Sequence, residues 1–173
     1  LAVALIIAFL LRELHVYRVN KILLFGLYLG GLLFSKSLGW LDFLLDYRAL
    51  AETIGDSSLK LSLKVDNSLQ FVMNYVLSIV YQFLGLRINS IALLVLFLTE
   101  STVVIVSSMY IYRHKKFVTK TEEYIILFAI VYAAIWTFFN DNMGTAIRLR
   151  MYDYLAILSV AASLFLRQSN ATT

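Results

Sequence analysis

Two near-continuous apolar runs, 91–112 and 122–139, constrain this chain more than any other feature. At about 1.5 Å of rise per residue, each is long enough to cross a hydrocarbon layer about 30 Å thick. A chain crossing such a layer must satisfy its backbone polar groups internally, which favours helices. Further apolar stretches occupy 1–11, 22–45 and 153–166. Only 15% of residues are charged and mean hydropathy is +0.80, whereas a soluble domain carries about 25% charged residues. The sequence therefore predicts an all-α, polytopic transmembrane helical bundle. About five spanning helices are expected, plus an amphipathic helix at 69–86 that is re-entrant or interfacial.

Residues 1–173 read as one transmembrane domain. The chain starts on Leu1 within an apolar run that lacks a basic flank and a small-residue cleavage site. This fits the tail of a membrane helix better than a signal peptide. The expectation is a C-terminal fragment of a longer multi-pass protein. Gly26 and Gly30 are four apart in the second run, a spacing that lets a neighbouring helix approach closely. That helix is expected to leave the hydrocarbon near Ser35, with Trp40 as an interfacial anchor. The polar segment 46–68 reads as a surface loop with a mobile tip at 54–58, and alternation from Leu59 to Val65 allows a short extended stretch. Gln70, Asn74, Ser78 and Gln82 recur every four residues and mark one polar face on 69–86.

The densest polar group lies between two apolar runs. Asn140, Asp141, Asn142, Gly144, Thr145, Arg148 and Arg150 fall within eleven positions. Polar groups at the mouth of a membrane cavity are costly unless paired, and so mark candidate sites. Arg148 and Arg150 are the main signal, because guanidinium groups bind phosphate in bidentate fashion and stay charged. A helix starting at Gly144–Thr145, with Thr145 as N-cap, would set an anion-binding end beside them. The competing reading is a topogenic loop whose arginines reach to lipid headgroups. Glu100, with Thr99, Ser101 and Thr102, lies inside the run 91–112. It needs a partner, either an arginine of the polar stretch or Arg87, and a structural ion pair is preferred over a catalytic base. Arg87 and Asn89 in the tight turn after 69–86 either join an anionic site or anchor at the interface. Tyr75, Tyr81, Tyr110, Tyr112, Tyr152 and Tyr154 read mostly as interface anchors, with Tyr152 also a candidate sugar platform.

Several chemistries are excluded or disfavoured. The chain has no cysteine, so thiolate ligands, disulfides and cysteine nucleophiles are absent. His15 and His114 lie in separate loops without ligand spacing, and there is no Asp-x-Asp or Gly-rich phosphate loop. No metal and no cofactor is expected. The net charge of +4 comes from short connections between apolar runs and does not point to nucleic acid.

The loops 12–21 and 113–120 are the strongly basic ones, which places them in the cytoplasm. One run separates 113–120 from the polar stretch, so the latter falls outside. If 69–86 does not cross, eight Lys and Arg lie inside and six outside, with Lys36 left at the interface. If it crosses with 12–21 still inside, the counts reverse. If it crosses and the whole topology flips, the count is again eight to six, but 12–21 is then outside; the re-entrant arrangement is preferred because it keeps both strongly basic loops inside and gathers 46–90 and 140–152 on one extracytoplasmic face.

The segment VLSIVYQFLGLRINSIALLVLFLTES, 76–101, resembles a pattern in large bacterial membrane proteins of surface-glycan assembly. FFNDNMGTAIRLRMYDYLAIL, 138–158, is similar to the C-terminal Asn-x-Gly-Thr-x-x-Arg-x-Arg segment of the same proteins, the O-antigen or oligosaccharide-repeat-unit polymerases. The resemblance covers about 69–167; the chain has Leu86 and Tyr154 near places where that pattern often has proline. It implies a membrane glycosyltransferase of polysaccharide biosynthesis, working on polyprenyl-diphosphate-linked oligosaccharide in the plasma (inner) membrane of the cell envelope. Arg148 and Arg150 would neutralise the diphosphate leaving group, with Arg87 near them. Asn140, Asn142, Thr145 and Tyr152 would orient sugar or phosphate, and Glu100 or Asp141 would activate the acceptor hydroxyl. The alternatives are a non-catalytic subunit packed within a larger membrane complex, and part of a transporter or flippase for a lipid-linked anion.

Overall fold

The computed structural model describes residues 2–13, 21–53, 58–86 and 91–172. The order is α1 (Ala2–Glu13), α2 (Lys21–Ser37), α3 (Asp42–Thr53), α4 (Ser68–Leu84), α5 (Ile91–Leu96), α6 (Thr102–Arg113), α7 (Lys120–Phe139) and α8 (Met143–Thr172). A π-helical turn, Phe97–Ser101, joins α5 to α6 without a break. The described residues contain no strand. Arg87 and Asn89 lie outside the described residues, as do 54–57 of the expected loop tip.

Three described helices are long and apolar enough to cross a membrane: Leu94–Arg113, Lys120–Phe139 and Met143–Asn170. The count of about five spans expected from the sequence is not reached among the described residues. α2 has 17 residues and α4 also 17, each at the lower limit of the length that crosses a hydrocarbon layer. The last helix is longer than its apolar run suggested. It begins at Met143, is 30 residues long and takes in the polar residues that follow the apolar run 153–166.

Helix ends follow from local chemistry. Thr119 caps α7 through a capping box with Glu122, so two otherwise orphaned backbone N–H groups are satisfied reciprocally. Glu122 also takes Arg167 Nη2 at 2.5 and 2.6 Å, which ties the start of α7 to the end of α8. Asn67 caps α4, and Gly85 ends it in the left-handed region at φ 65.

The antiparallel α7 and α8 form the spine. α1, α3 and α4 pack on α7, and α4 and α6 pack on α8. Ala4 and Ala8 are buried, so small side chains let α1 lie close along α7. The expected glycine face does not do this. No described atom comes within 4 Å of a Cβ built at Gly26 or Gly30. Three small cores result: Leu45, Leu63, Phe71, Tyr75 and Phe138; then Ala4, Tyr132, Trp136 and Ala146; then Ile111, Val160 and Leu164. Outside them, large side chains such as Leu98, Val106, Met109, Leu155 and Phe165 are exposed. Apolar surface this extensive suits a lipid environment rather than water.

The segment 58–66 is pinned, not a free loop. Ser58 pairs antiparallel with Asn142, and Leu59 N–H donates to Asp141 O at 2.9 Å. Ser58, Leu59 and Leu63 are buried, so the surface-loop expectation fails there. Alternation breaks because Lys60 takes a left-handed conformation, φ 55. Exposed Lys64 sits 2.7 Å from Asp46, whose carboxylate raises the ammonium pKa. Tyr75 and Tyr154 are buried and hydrogen-bonded instead of anchoring at an interface. Tyr75 donates to Ala134 O at 3.0 Å and Tyr154 to Phe83 O at 2.6 Å.

Candidate functional site

Two buried polar clusters occupy the end of the bundle where α7 turns into α8. The first is built on Arg48 of α3, which is 1% exposed. Its Nη1 donates to the carbonyls of Thr137, Phe138 and Asn140 at 2.8, 2.9 and 2.8 Å. Its Nη2 donates to Ser78 Oγ at 2.9 Å and to Asp141 Oδ1 at 2.9 Å. The first two carbonyls belong to the last turn of α7 and the third to its cap residue, where no intrahelical donor remains, and one guanidinium supplies the missing donors. The Asp141 carboxylate also accepts from the Ser58 hydroxyl and from Lys60 N–H at 3.3 Å.

The polar face of α4 completes this cluster. Gln82 Nε2 donates to Ser78 Oγ at 2.6 Å and to Asn140 O at 2.7 Å, and Gln82 Oε1 accepts from Asn140 Nδ2 at 2.6 Å. Asn74 donates to Ser62 O at 2.6 Å, while Gln70 is exposed. The four-residue repeat thus faces protein over three of its members. Asn142, not Thr145, caps α8: its Oδ1 accepts from Thr145 N–H at 3.2 Å. Thr145 itself is exposed.

The second cluster is an ion pair between Arg150 of α8 and Glu100 of the π turn. Arg150 Nη2 lies 3.0 Å from Glu100 Oε2, with side-chain exposures of 1% and 30%. The π turn inserts an extra residue in the α5–α6 span, a distortion often found at functional sites. Ser101 donates to Leu84 O at 2.7 Å, so the tip of α4 reaches into the side of that span. Gly85 makes room for the guanidinium, since a Cβ there would collide with Arg150 Nη1. The Arg150 guanidinium also lies 5.5 Å from the Tyr154 ring centre. Its Nε and Nη1 are buried without a hydrogen-bond partner among the described residues. A buried guanidinium with two unused donors is a strong anion-binding group.

The two arginines singled out in the sequence are therefore separated. Arg150 is buried, Arg148 is exposed, and two positions on a helix point about 200° apart. They do not form one phosphate clamp on α8. Glu100 and Arg150 are brought together. Asn140, Asp141 and Asn142 are brought together too, but with one another, Arg48 and Gln82. Tyr152 is exposed, its ring edge against Tyr132. Four participants escaped the sequence reading: Arg48, Ser58, Gly85 and Asp153. Asp153 is fully buried and its Oδ2 accepts from Trp136 Nε1 at 2.8 Å, while Oδ1 has no partner among the described residues. A lone glycine ending an amphipathic helix was the available signal for Gly85. For Arg48 there was none, because most of its partners are backbone carbonyls far away in sequence.

No family model, curated protein or solved structure matches this chain.

Proposed function

We propose that the chain is part of a multi-pass inner-membrane glycosyltransferase that extends a polyprenyl-diphosphate-linked oligosaccharide at the extracytoplasmic face. The observation that carries this reading is buried Arg150, bonded to Glu100 through one nitrogen and with Nε and Nη1 unused as donors among the described residues. In the full assembly about five helices span, and α4 re-enters rather than crosses. The contact of its tip with Ser101, inside a span, supports re-entry. The substrate diphosphate docks on Arg150, which stabilises the charge that grows on the leaving group. Glu100 then loses its hold on Arg150 and takes the proton of the acceptor hydroxyl. That oxygen bonds to the anomeric carbon as the diphosphate leaves with the bonding electrons. Arg148, on the exposed side of α8, meets lipid headgroups, and Arg87 follows Gly85 closely enough in sequence to join the anion.

Asn140, Asp141 and Asn142 act as scaffold in this reading. Their internal bonding also favours a second reading, a non-catalytic subunit of a larger membrane complex. The deciding experiment is glycan length in cells carrying Arg150→Ala. Loss of long chains, with the protein still inserted at normal level, supports the enzyme. Wild-type lengths leave the subunit reading standing. Transfer of labelled lipid across a liposome without any change in glycan length would instead indicate a transporter.

A further inference from the structure

α3 has an outward stripe that the described residues leave exposed. Phe43 and Tyr47 are 80% and 59% exposed, and Trp40, just before the helix, is 70% exposed. Phe43 and Tyr47 lie one turn apart on one side of the helix. The opposite side carries buried Leu45 and Arg48. Asp42 and Asp46 form a polar edge along the stripe.

The height of this helix relative to the spans is fixed by contacts already described. Arg48 bonds the carbonyls of Thr137, Phe138 and Asn140, which close the span Lys120–Phe139. α3 is therefore held at the level where a membrane-crossing helix ends. Its 12 residues measure about 18 Å, too short to cross a hydrocarbon layer of about 30 Å. Trp and Tyr favour that level, where the ring meets acyl chains and the polar atom meets headgroups.

We infer that α3 lies in the plane of the bilayer surface, with Trp40, Phe43 and Tyr47 sunk into the boundary between headgroups and acyl chains. The occupant of the stripe is lipid, and Arg48 on the opposite side is thereby held at headgroup depth. α3 acts as a float that sets the height of the Arg48–Asp141 cluster. The inference does not depend on the glycan reading.

The test uses the full-length protein reconstituted in vesicles whose phospholipids carry bromine either near the glycerol end or near the chain end. The Trp40 signal is the difference between native protein and Trp40→Phe. Trp40 emission should be lost chiefly with bromine near the glycerol end and resist aqueous acrylamide. This chain has no cysteine, so spin labels at Phe43→Cys and Asp42→Cys, with any cysteine elsewhere in the full-length protein replaced by serine, give a second readout. The label at 43 should respond to oxygen and the label at 42 to a water-soluble nickel chelate. Overturning results are Trp40 quenched by acrylamide alone, which means water, or protected from both quenchers, which means a protein partner. Equal nickel access at 42 and 43 would also overturn it.

Discussion

At the scale of single residues, the least replaceable side chain is Arg48. Removing one partner of a buried ion pair costs about 3–5 kcal/mol, because the other charge stays behind in a poorly solvating site. Arg48→Met should therefore lower stability in detergent by about that much, read as a lowered unfolding midpoint. Asp141→Asn is milder, since the amide oxygen still accepts from Arg48. It should destabilise by less than Arg48→Met and leave glycan extension intact wherever the protein stays folded. Loss of extension without loss of stability would make Asp141 a catalytic residue after all. At the cap of α8, Asn142→Ala should cost about 1 kcal/mol and Thr145→Ala almost nothing. The reverse order would restore Thr145 as the cap. At Gly85 any side chain both adopts a strained φ and strikes Arg150. Gly85→Ala should cost more than about 1 kcal/mol and weaken anion binding along with it.

At the scale of elements, the polar row on α4 was legible because its period, four residues, matches the helix. The row meets the end of α7 rather than an open cavity, and this depends on Arg48 and Gln82 reaching carbonyls 55 to 92 residues away. Backbone acceptors leave no mark in a sequence, so that half of the cluster was hidden. The cap of α8 was misplaced by three residues, from Asn142 to Thr145, for a similar reason. Asn142 and Thr145 are both good capping types, and it is Asn142, held in the turn that pairs with Ser58, whose side chain accepts from the Thr145 N–H. Gln82→Leu fills the same space but removes the bonds to Asn140. It should loosen the 140–142 turn and raise its hydrogen exchange, while exchange at Thr119–Glu122, at the far end of α7, stays unchanged.

At the scale of the whole molecule, apolar run lengths announced a helical membrane protein, and three helices meet the requirement among the described residues. The Arg-x-Arg pair was misleading because spacing along the chain was taken for proximity in space, whereas the helix sends the two side chains to different environments. What survives is one buried guanidinium, one carboxylate on a distorted span and one glycine that makes room for them. The most direct test of this account is equilibrium binding of a polyprenyl diphosphate to the full-length protein in nanodiscs, comparing native protein, Arg150→Ala and Arg148→Ala. Loss of the buried donors should weaken binding by at least about tenfold, equivalent to about 1.4 kcal/mol. Arg148→Ala should stay within about twofold, well under that threshold. Equal weakening by both, or none with Arg150→Ala, would contradict it.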